Sequence, residues 1–346
     1  MKPIPWLIPV SWLYGAGVWL RNRFYDAKLF RMHTAGVPVI SVGNISAGGT
    51  GKTPLVEYLA QHLSDSGKRV AVLSRGYGRL TSGYQVVSNG RQQCADAVSG
   101  GDEPAQMAEN LKNVIVVVDE RRAKGAQRII NEFNPELILL DDGFQHRGLE
   151  RAMDIVVITT REILTRPALL PAGYRREPWN ALARADYLVI SDWSTEEEYR
   201  RAESRLAEMV SKPVTGMQVL PVGISRLVTG ASSDRGELRG KKFVAFSGIG
   251  NPESFDRTAA EYLQSPVRHE ALGDHHRYAP QDLKLLGRIA EEVRAEYLLT
   301  TQKDGMRLLA VPGIADLDKR FPVYVLRVQA VLKDGELLMK CLMESF

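Results

Sequence analysis

Cysteine is almost missing from this 346-residue chain, with only Cys94 and Cys341 present. The two fit no metal-ligand or redox spacing, so a disulfide scaffold, a cysteine-built zinc site and a dithiol centre are excluded as organising features. A reducing compartment is the expectation. An excess of one charge is missing as well. The 45 Lys and Arg residues against 41 Asp and Glu leave +4, which suits anionic phosphates or lipids and does not demand nucleic acid. There is no internal repeat and no low-complexity tract. What is present, 44% hydrophobic and 25% charged residues, is ordinary for a globular chain with a sizeable core, and the length favours two domains.

A long, clean apolar run is also lacking. Residues from Pro3 to Leu20 carry no charge, but Pro3, Pro5 and Pro9 interrupt the first half. A spanning helix needs about 20 apolar residues, and no small-residue cleavage site marks a signal peptide. Trp6, Trp12, Tyr14 and Trp19 favour the headgroup zone, and Arg21, Arg23, Lys28 and Arg31 follow closely. The expectation is a helix lying in one leaflet.

Short apolar runs recur at Val37–Val42, Val70–Leu73, Val114–Val118, Leu137–Leu140, Ile155–Thr159 and Tyr187–Ile190, separated by helical patterns. They are continuous rather than alternating, which predicts a mostly parallel sheet covered by helices on both faces. After Lys212-Pro213 the pattern changes. Val214–Val219 and Gly223–Val228 alternate, Gly230–Gly240 is polar, and strands at Phe243–Phe246, Tyr297–Thr301 and Val323–Val328 flank helices at Ser254–Leu263 and Gln281–Arg294. A second, smaller α/β unit is expected.

The chemistry centres on Ser41-Val-Gly43-Asn44-Ile-Ser46-Ala47-Gly48-Gly49-Thr50-Gly51-Lys52-Thr53. A strand enters, glycines turn, and a helix with Leu55, Leu59 and Leu63 leaves. Glycines let backbone N–H groups converge on phosphate oxygens. The residues from Ser46 to Thr53 are therefore candidate nucleotide ligands, Lys52 for the β- and γ-phosphates and Thr53 for Mg²⁺. Ser46 stands where the strict P-loop has glycine, and the dense Gly48–Gly51 run compensates. Leu137–Leu140 ends in Asp141-Asp142-Gly143, the acidic strand end such a loop requires, with Asp142 the preferred metal-side residue and helix capping the alternative.

Three further stretches carry weaker signals. Gly101-Asp102-Glu103-Pro104 reads by itself as capping before a helix near Pro104. Ser74-Arg75-Gly76-Tyr77-Gly78-Arg79 follows a strand and should face the cleft, where Arg75 and Arg79 suit phosphate. Arg121-Arg122 carries the same logic with less force. Of Asp274-His275-His276, at most one histidine is expected to act; an Asp–His pair could serve as base toward a sugar hydroxyl.

Taken in order, these motifs resemble the tetraacyldisaccharide 4′-kinase family, the lipid A 4′-kinases. The likeness covers nearly the whole chain. It rests on the aromatic amino-terminal segment, Val42–Pro54, Leu73–Arg79, Gly101–Pro104, Asp141-Asp142-Gly143-Phe144-Gln145-His146, Ala245–Pro252 and Asp274–His276. It implies transfer of the ATP γ-phosphate to the 4′-hydroxyl of a tetraacylated disaccharide 1-phosphate at the cytoplasmic face of the inner membrane. No nucleic acid and no obligate protein partner are inferred. The family pattern also implies a catalytic pair, Asp102 with a histidine of Asp274–His276, of which His275 is chosen. Asp142 and Thr53 fall near magnesium, and Arg75, Tyr77, Gln145 and His146 near substrate or phosphates. Glu103 and Asp141 stay open between metal shell and structure. Two departures stand out: Tyr174-Arg175 replaces Pro-Leu in a Pro-Ala-Gly-Pro-Leu-Arg-Glu-Pro run, and Gln302 stands where Thr-Glu-Lys-Asp-Ala is common.

The expected organisation is a membrane-associating segment over 1–30, a P-loop kinase core over 31–213 and a smaller α/β domain over 214–346. A partner-moving P-loop NTPase and a non-catalytic nucleotide sensor are the rival classes.

Overall fold

The computed structural model describes residues 4–345; Pro3, at the start of the charge-free stretch, lies outside them. The strands are β1 (Val39–Gly43), β2 (Val70–Ser74), β3 (Gln85–Asn89), β4 (Ile115–Val118), β5 (Leu137–Asp141), β6 (Met153–Thr159) and β7 (Tyr187–Ser191). Then come β8 (Val214–Arg226), β9 (Ser232–Ser233), β10 (Phe243–Ser247), β11 (Arg268–Ala271), β12 (Tyr297–Thr301) and β13 (Val323–Lys333). They form one sheet in the order β11-β10-β12-β13-β8-β7-β6-β1-β5-β2-β4-β3, with β9 beside β8.

The expected parallel sheet is present: β4, β2, β5, β1, β6 and β7 pair in parallel. Every residue of β1, β2, β5, β6 and β7 is buried, which is why these runs are continuous in the sequence. The two alternating stretches after Pro213 are a single 13-residue strand, β8, antiparallel to β13. That pair joins the two parallel sets into one sheet. The edge strand β3, antiparallel to β4, and the short β11 escape a sequence reading. Edge strands need no continuous apolar run, and β11 reads Arg-His-Glu-Ala.

Helices cover both faces. Leu55, Leu59 and Leu63 of the phosphate-loop helix (Lys52–Asp65) pack with Val70, Val72, Leu137 and Leu139. Leu338 and Leu342 of the carboxyl-terminal helix (Glu336–Glu344) join this same cluster, although that helix belongs in sequence to the second region. Ala126 and Ile129 of the Arg122–Phe133 helix cover the opposite face with Ala71, Leu73 and Val117.

β1 and β5 are neighbours in register, Val42 opposite Asp141. Their carboxyl ends therefore deliver the phosphate loop and the paired aspartates to one place, as the crevice rule for parallel sheets demands. The fit there is close. A β-carbon on Gly43 would lie 2.6 Å from Phe144 Cβ and 2.7 Å from its backbone nitrogen. Gly43→Ala is expected to destabilise the fold by about 1–3 kcal/mol, read as a lower urea midpoint; an unchanged midpoint contradicts the assigned contact.

Candidate active site

The phosphate loop leaves β1 and enters the Lys52–Asp65 helix through Gly51. Gly48 and Gly51 have φ of +114° and +85°, values that side-chain-bearing residues avoid. Ala47, Gly48 and Gly49 are exposed, and β-carbons on Gly48 or Gly49 would touch nothing within 4 Å. The rim is thus open to a ligand while its base is fixed. Asn44 Nδ2 donates to Thr50 Oγ1 (3.0 Å), and Ser191 Oγ donates to the Thr50 carbonyl (2.8 Å). From the other side, Ala47 N donates to Tyr174 O and Arg176 N to Ile45 O, each at 2.7 Å. These contacts run through main chain, so the Tyr174-Arg175 departure leaves them intact. Among the described residues the buried Ser46 hydroxyl has no hydrogen-bond partner.

The capping alternative for the aspartate pair fails, because β5 is followed by turns and not by a helix. Asp141 is buried and takes a hydrogen bond from Ser74 Oγ (2.9 Å), while its Oδ1 has no partner among the described residues. Burial, with Glu103 and Asp142 nearby, pushes its carboxyl up to about 7 against the pull of Lys52. Asp142 sits at φ +50°, a left-handed value for a non-glycine residue. Both of its oxygens accept from Arg176, at 2.8 and 2.7 Å, and Lys52 Nζ lies 3.5 Å away. Burial opposes ionisation of Asp142, but Arg176 and Lys52 outweigh it and hold the carboxyl well below the usual carboxylate range. Arg122, buried behind the pair, donates to the Asp141 and Asp119 carbonyls.

Among the described residues no group of three or more His, Cys, Asp or Glu side chains could hold a metal by itself. Magnesium bound with a nucleotide takes one or two protein ligands and completes its shell with phosphate oxygens and water. The unpartnered Asp141 oxygen, Asp142, Thr53 at the helix start and the open glycine rim fit that need.

A second cluster assembles from both halves of the chain. The Asp102–Asn110 helix begins at Asp102, two residues before the expected start, with Gly101 as its N-cap. Asp102 therefore does not cap. Its Oδ2 accepts from Arg307 Nε (2.8 Å) and lies 3.3 Å from His275 Nδ1; its Oδ1 accepts from Glu103 N (3.0 Å). Burial of Asp102 works against its charge, yet the His275 hydrogen bond, Lys303 and Arg307 hold it well below the usual carboxylate range. Lys303 Nζ reaches Glu103 Oε1 (2.9 Å) and His275 Nε2 (3.3 Å). His275 adopts φ +56° and packs against the exposed Tyr77 ring, centroids 4.6 Å apart. His276 points elsewhere, to Asp282 Oδ2 at 3.1 Å. Only His275 of the pair meets Asp102.

The two clusters adjoin. A β-carbon on Gly250, in the turn after β10, would lie 3.2 Å from both Gly49 N and Asp274 Oδ2. Arg75 is exposed at the end of β2. His146 is partly buried; burial and the charges of Arg122, Arg151 and Arg75 lower it to about 4, so it is neutral at physiological pH. Gln145 Nε2 donates to Asn44 O (2.7 Å) and Glu177 Oε1 (3.1 Å), which places it as a brace under the loop. Arg79, expected at the cleft, is instead buried in an ion pair with Glu120 and donates to Gly83 O (2.6 Å). Tight turns at Gly76 and Gly78 direct it back onto the protein.

Sequence reasoning gave no role to Arg176, Glu177, Lys303 or Arg307. The first two directly follow the Tyr174-Arg175 departure. Glu177 is fully buried and collects Arg184, Asn22 and Gln145. Lys303 and Arg307 lie one turn apart on the Gln302–Leu308 helix, a spacing that signals one shared face.

Known proteins resemble this chain over nearly its whole length. The chain is 36% identical to the tetraacyldisaccharide 4′-kinase of Chlorobium phaeobacteroides, over 98% of this chain and 96% of that one. It is 37% identical to that of Syntrophus aciditrophicus, over 91% and 87%. The crystal structure of LpxK from Aquifex aeolicus in complex with ATP superposes with a TM-score of 0.77 at 32% identity, covering 98% of both chains. A family model described as tetraacyldisaccharide-1-P 4′-kinase matches residues 4–346. With both clusters lying within that match, the chain belongs to the tetraacyldisaccharide-1-P 4′-kinase family.

Proposed function

We propose that the chain transfers the γ-phosphate of ATP to the 4′-hydroxyl of a tetraacylated glucosamine disaccharide 1-phosphate, a step of lipid A biosynthesis. The observation that carries this reading beyond family membership is the Asp102–His275 pair beside a phosphate loop. A nucleotide hydrolase or sensor needs no base for a sugar hydroxyl.

The residues divide the work. Backbone amides from Ser46 to Thr53 cradle the phosphates, and Lys52 bears on the β- and γ-phosphate oxygens. Thr53 and Asp142 would hold magnesium, with Asp141 behind them, and the metal would supply charge neutralisation on those oxygens. Arg176 and Lys52 hold the same Asp142 carboxylate and keep it anionic. Asp102, buried and anionic, orients the His275 ring, whose Nε2, turned away from that carboxylate toward Lys303, is the atom that takes the hydroxyl proton. Arg75, Tyr77 and His146 line the acceptor side, while Gln145 steadies the loop. The division into a P-loop core over 31–213 and a smaller unit over 214–346 follows the chemistry, since the first supplies the phosphate site and the second supplies His275.

The reaction takes place at a lipid surface, on the cytoplasmic face of the inner membrane. No helix among the described residues is long and apolar enough to cross a membrane. The Ile8–Asp26 helix is instead inverted for a solvated one. Its protein-facing side carries polar anchors beside the buried Val18: Ser11 Oγ donates to Leu169 O (3.0 Å), Tyr14 OH to Arg176 O (3.0 Å) and Asn22 Nδ2 to Glu177 Oε2 (2.9 Å). Its outer side exposes Trp12, Leu13 and Trp19, at 72, 75 and 58%, and Trp6, in the Pro5–Leu7 turn just before it, is 76% exposed. An exposed apolar strip of this size beside basic residues fits an anionic leaflet. Replacing Trp6, Trp12 and Trp19 together by serine is expected to weaken vesicle binding at least about tenfold, since each buried aromatic contributes on the order of 2 kcal/mol. The melting temperature should stay unchanged; undiminished co-sedimentation would remove this helix as the anchor.

Acceptor dependence tests the kinase reading. ATP turnover should rise sharply on adding the tetraacylated disaccharide 1-phosphate, whereas acceptor-independent hydrolysis at the same rate favours a partner-moving NTPase.

A further inference from the structure

A polar chain that the proposed chemistry does not use runs through the protein beneath the active site. Glu57 lies on the phosphate-loop helix, just over one turn beyond Lys52. It is buried at 9% exposure in a helix whose neighbouring inward positions, Leu55, Val56, Leu59 and Ala60, are apolar. A carboxyl in such a place is costly unless its oxygens are satisfied. They are. Gln106 Nε2 donates to Glu57 Oε1 and Asn110 Nδ2 to Oε2, each at 3.1 Å.

Gln106 and Asn110 are one and two turns along the helix that starts at Asp102, so the three share a face. Asn110 then continues the chain across the molecule. Its Nδ2 also donates to Gln302 Oε1 (3.2 Å), and Gln302 Nε2 donates back to Asn110 Oδ1 (2.6 Å). Gln302 opens the helix that carries Lys303 and Arg307. The Asp102 helix is therefore gripped at both ends by the Gln302–Leu308 helix. Arg307–Asp102 and Lys303–Glu103 hold its start, and the reciprocal amide pair holds its end. Glu57 ties that assembly to the helix of the phosphate loop. The Gln302 departure acquires a reason here, because a glutamate at this position could not donate to Asn110 Oδ1.

We propose that Glu57, acting through Gln106, Asn110 and Gln302, is a positioning residue that fixes the Asp102 helix against both the phosphate loop and the carboxyl-terminal half, so that nucleotide and base are held in register. This rests on the kinase reading above. Glu57 touches neither substrate nor reacting atoms. Burial raises its carboxyl to about 7 despite the bonds from Asn110 and Gln106, which makes a neutral amide of the same shape an acceptable substitute.

The test compares wild type with Glu57→Leu, Gln302→Leu, their double variant and Glu57→Gln, measuring kcat, ATP KM and thermal midpoint with ATP, Mg²⁺ and the tetraacylated acceptor. Loss of alignment between donor and base should lower kcat about 10- to 100-fold in each leucine variant. ATP KM should stay within about twofold, because the phosphate loop itself is untouched. Glu57→Gln should restore kcat to within about threefold of wild type, since Gln106 can turn its amide to match. The double variant should be no worse than the poorer single, as members of one chain are not additive. Wild-type kcat in folded leucine variants, or losses that multiply in the double variant, overturns the proposal. Should Glu57→Leu fail to fold, Gln302→Leu and Glu57→Gln decide it: kcat unchanged in the first, or collapsed in the second, overturns it. A wild-type chain that phosphorylates no acceptor would instead refute the kinase reading beneath it.

Discussion

Lys52→Ala should reduce γ-phosphate transfer by about 10³-fold or more, because phosphoryl transfer depends on positioning and charge neutralisation more than on covalent chemistry. Lys52 is well placed for that duty. Its stem leaves the first residue of the phosphate-loop helix, and its ammonium lies 3.5 Å from Asp142, 15% exposed. No other lysine follows the loop glycines, so another side chain cannot take over its position. Asp142→Ala should be nearly as damaging for a different reason. It removes the proposed magnesium ligand and also frees Arg176, which spends two hydrogen bonds on that carboxylate. Initial rates with labelled ATP and lipid acceptor measure both, and near-normal turnover in both variants would sink the assignment of the loop.

The second large effect is expected at the Asp102–His275 pair. His275→Ala removes the ring that stands between Asp102 and Lys303, and a lost general base costs about 10²- to 10⁴-fold in turnover. Asp102→Asn should fall in the same range, because the amide no longer holds the ring in its Nδ1–H form and leaves Arg307 and Lys303 short of a countercharge. The two losses should not multiply, since the residues act as a unit. ATP KM should stay close to wild type in both. A defect confined to ATP binding would contradict the role of His275 as base.

The phosphate side of this site was legible in the sequence and the Asp102–His275 side was not, for a physical reason. Ser46–Thr53 and Asp141-Asp142 each lie at the end of an apolar run, and adjacent parallel strands carry such ends to one crevice. The pairing of Asp102 with His275 depends on contact between elements distant in the chain. The Asp102 helix must meet the Gln302–Leu308 helix, and no local periodicity encodes that meeting. Family resemblance supplied the pairing; the residues by themselves read as capping and as a weak His-His pair. Arg79 shows the reverse error, where a plausible phosphate arginine after a strand is consumed by Glu120. The single long β8 was hidden because its alternation lapses near Leu220–Val222, where Pro221 sits opposite Val328 at a bulge in the pairing.

The central claim is that this chain phosphorylates one hydroxyl of a glycolipid. It is tested most directly by incubating the full chain with ATP, Mg²⁺ and a tetraacylated glucosamine disaccharide 1-phosphate, then reading product mass and the position of the added group by fragmentation. The product should be heavier by one phosphoryl group, carried on the 4′-oxygen, and none should form with Lys52→Ala. Release of inorganic phosphate with an unchanged lipid, or phosphorylation at another hydroxyl, would contradict it.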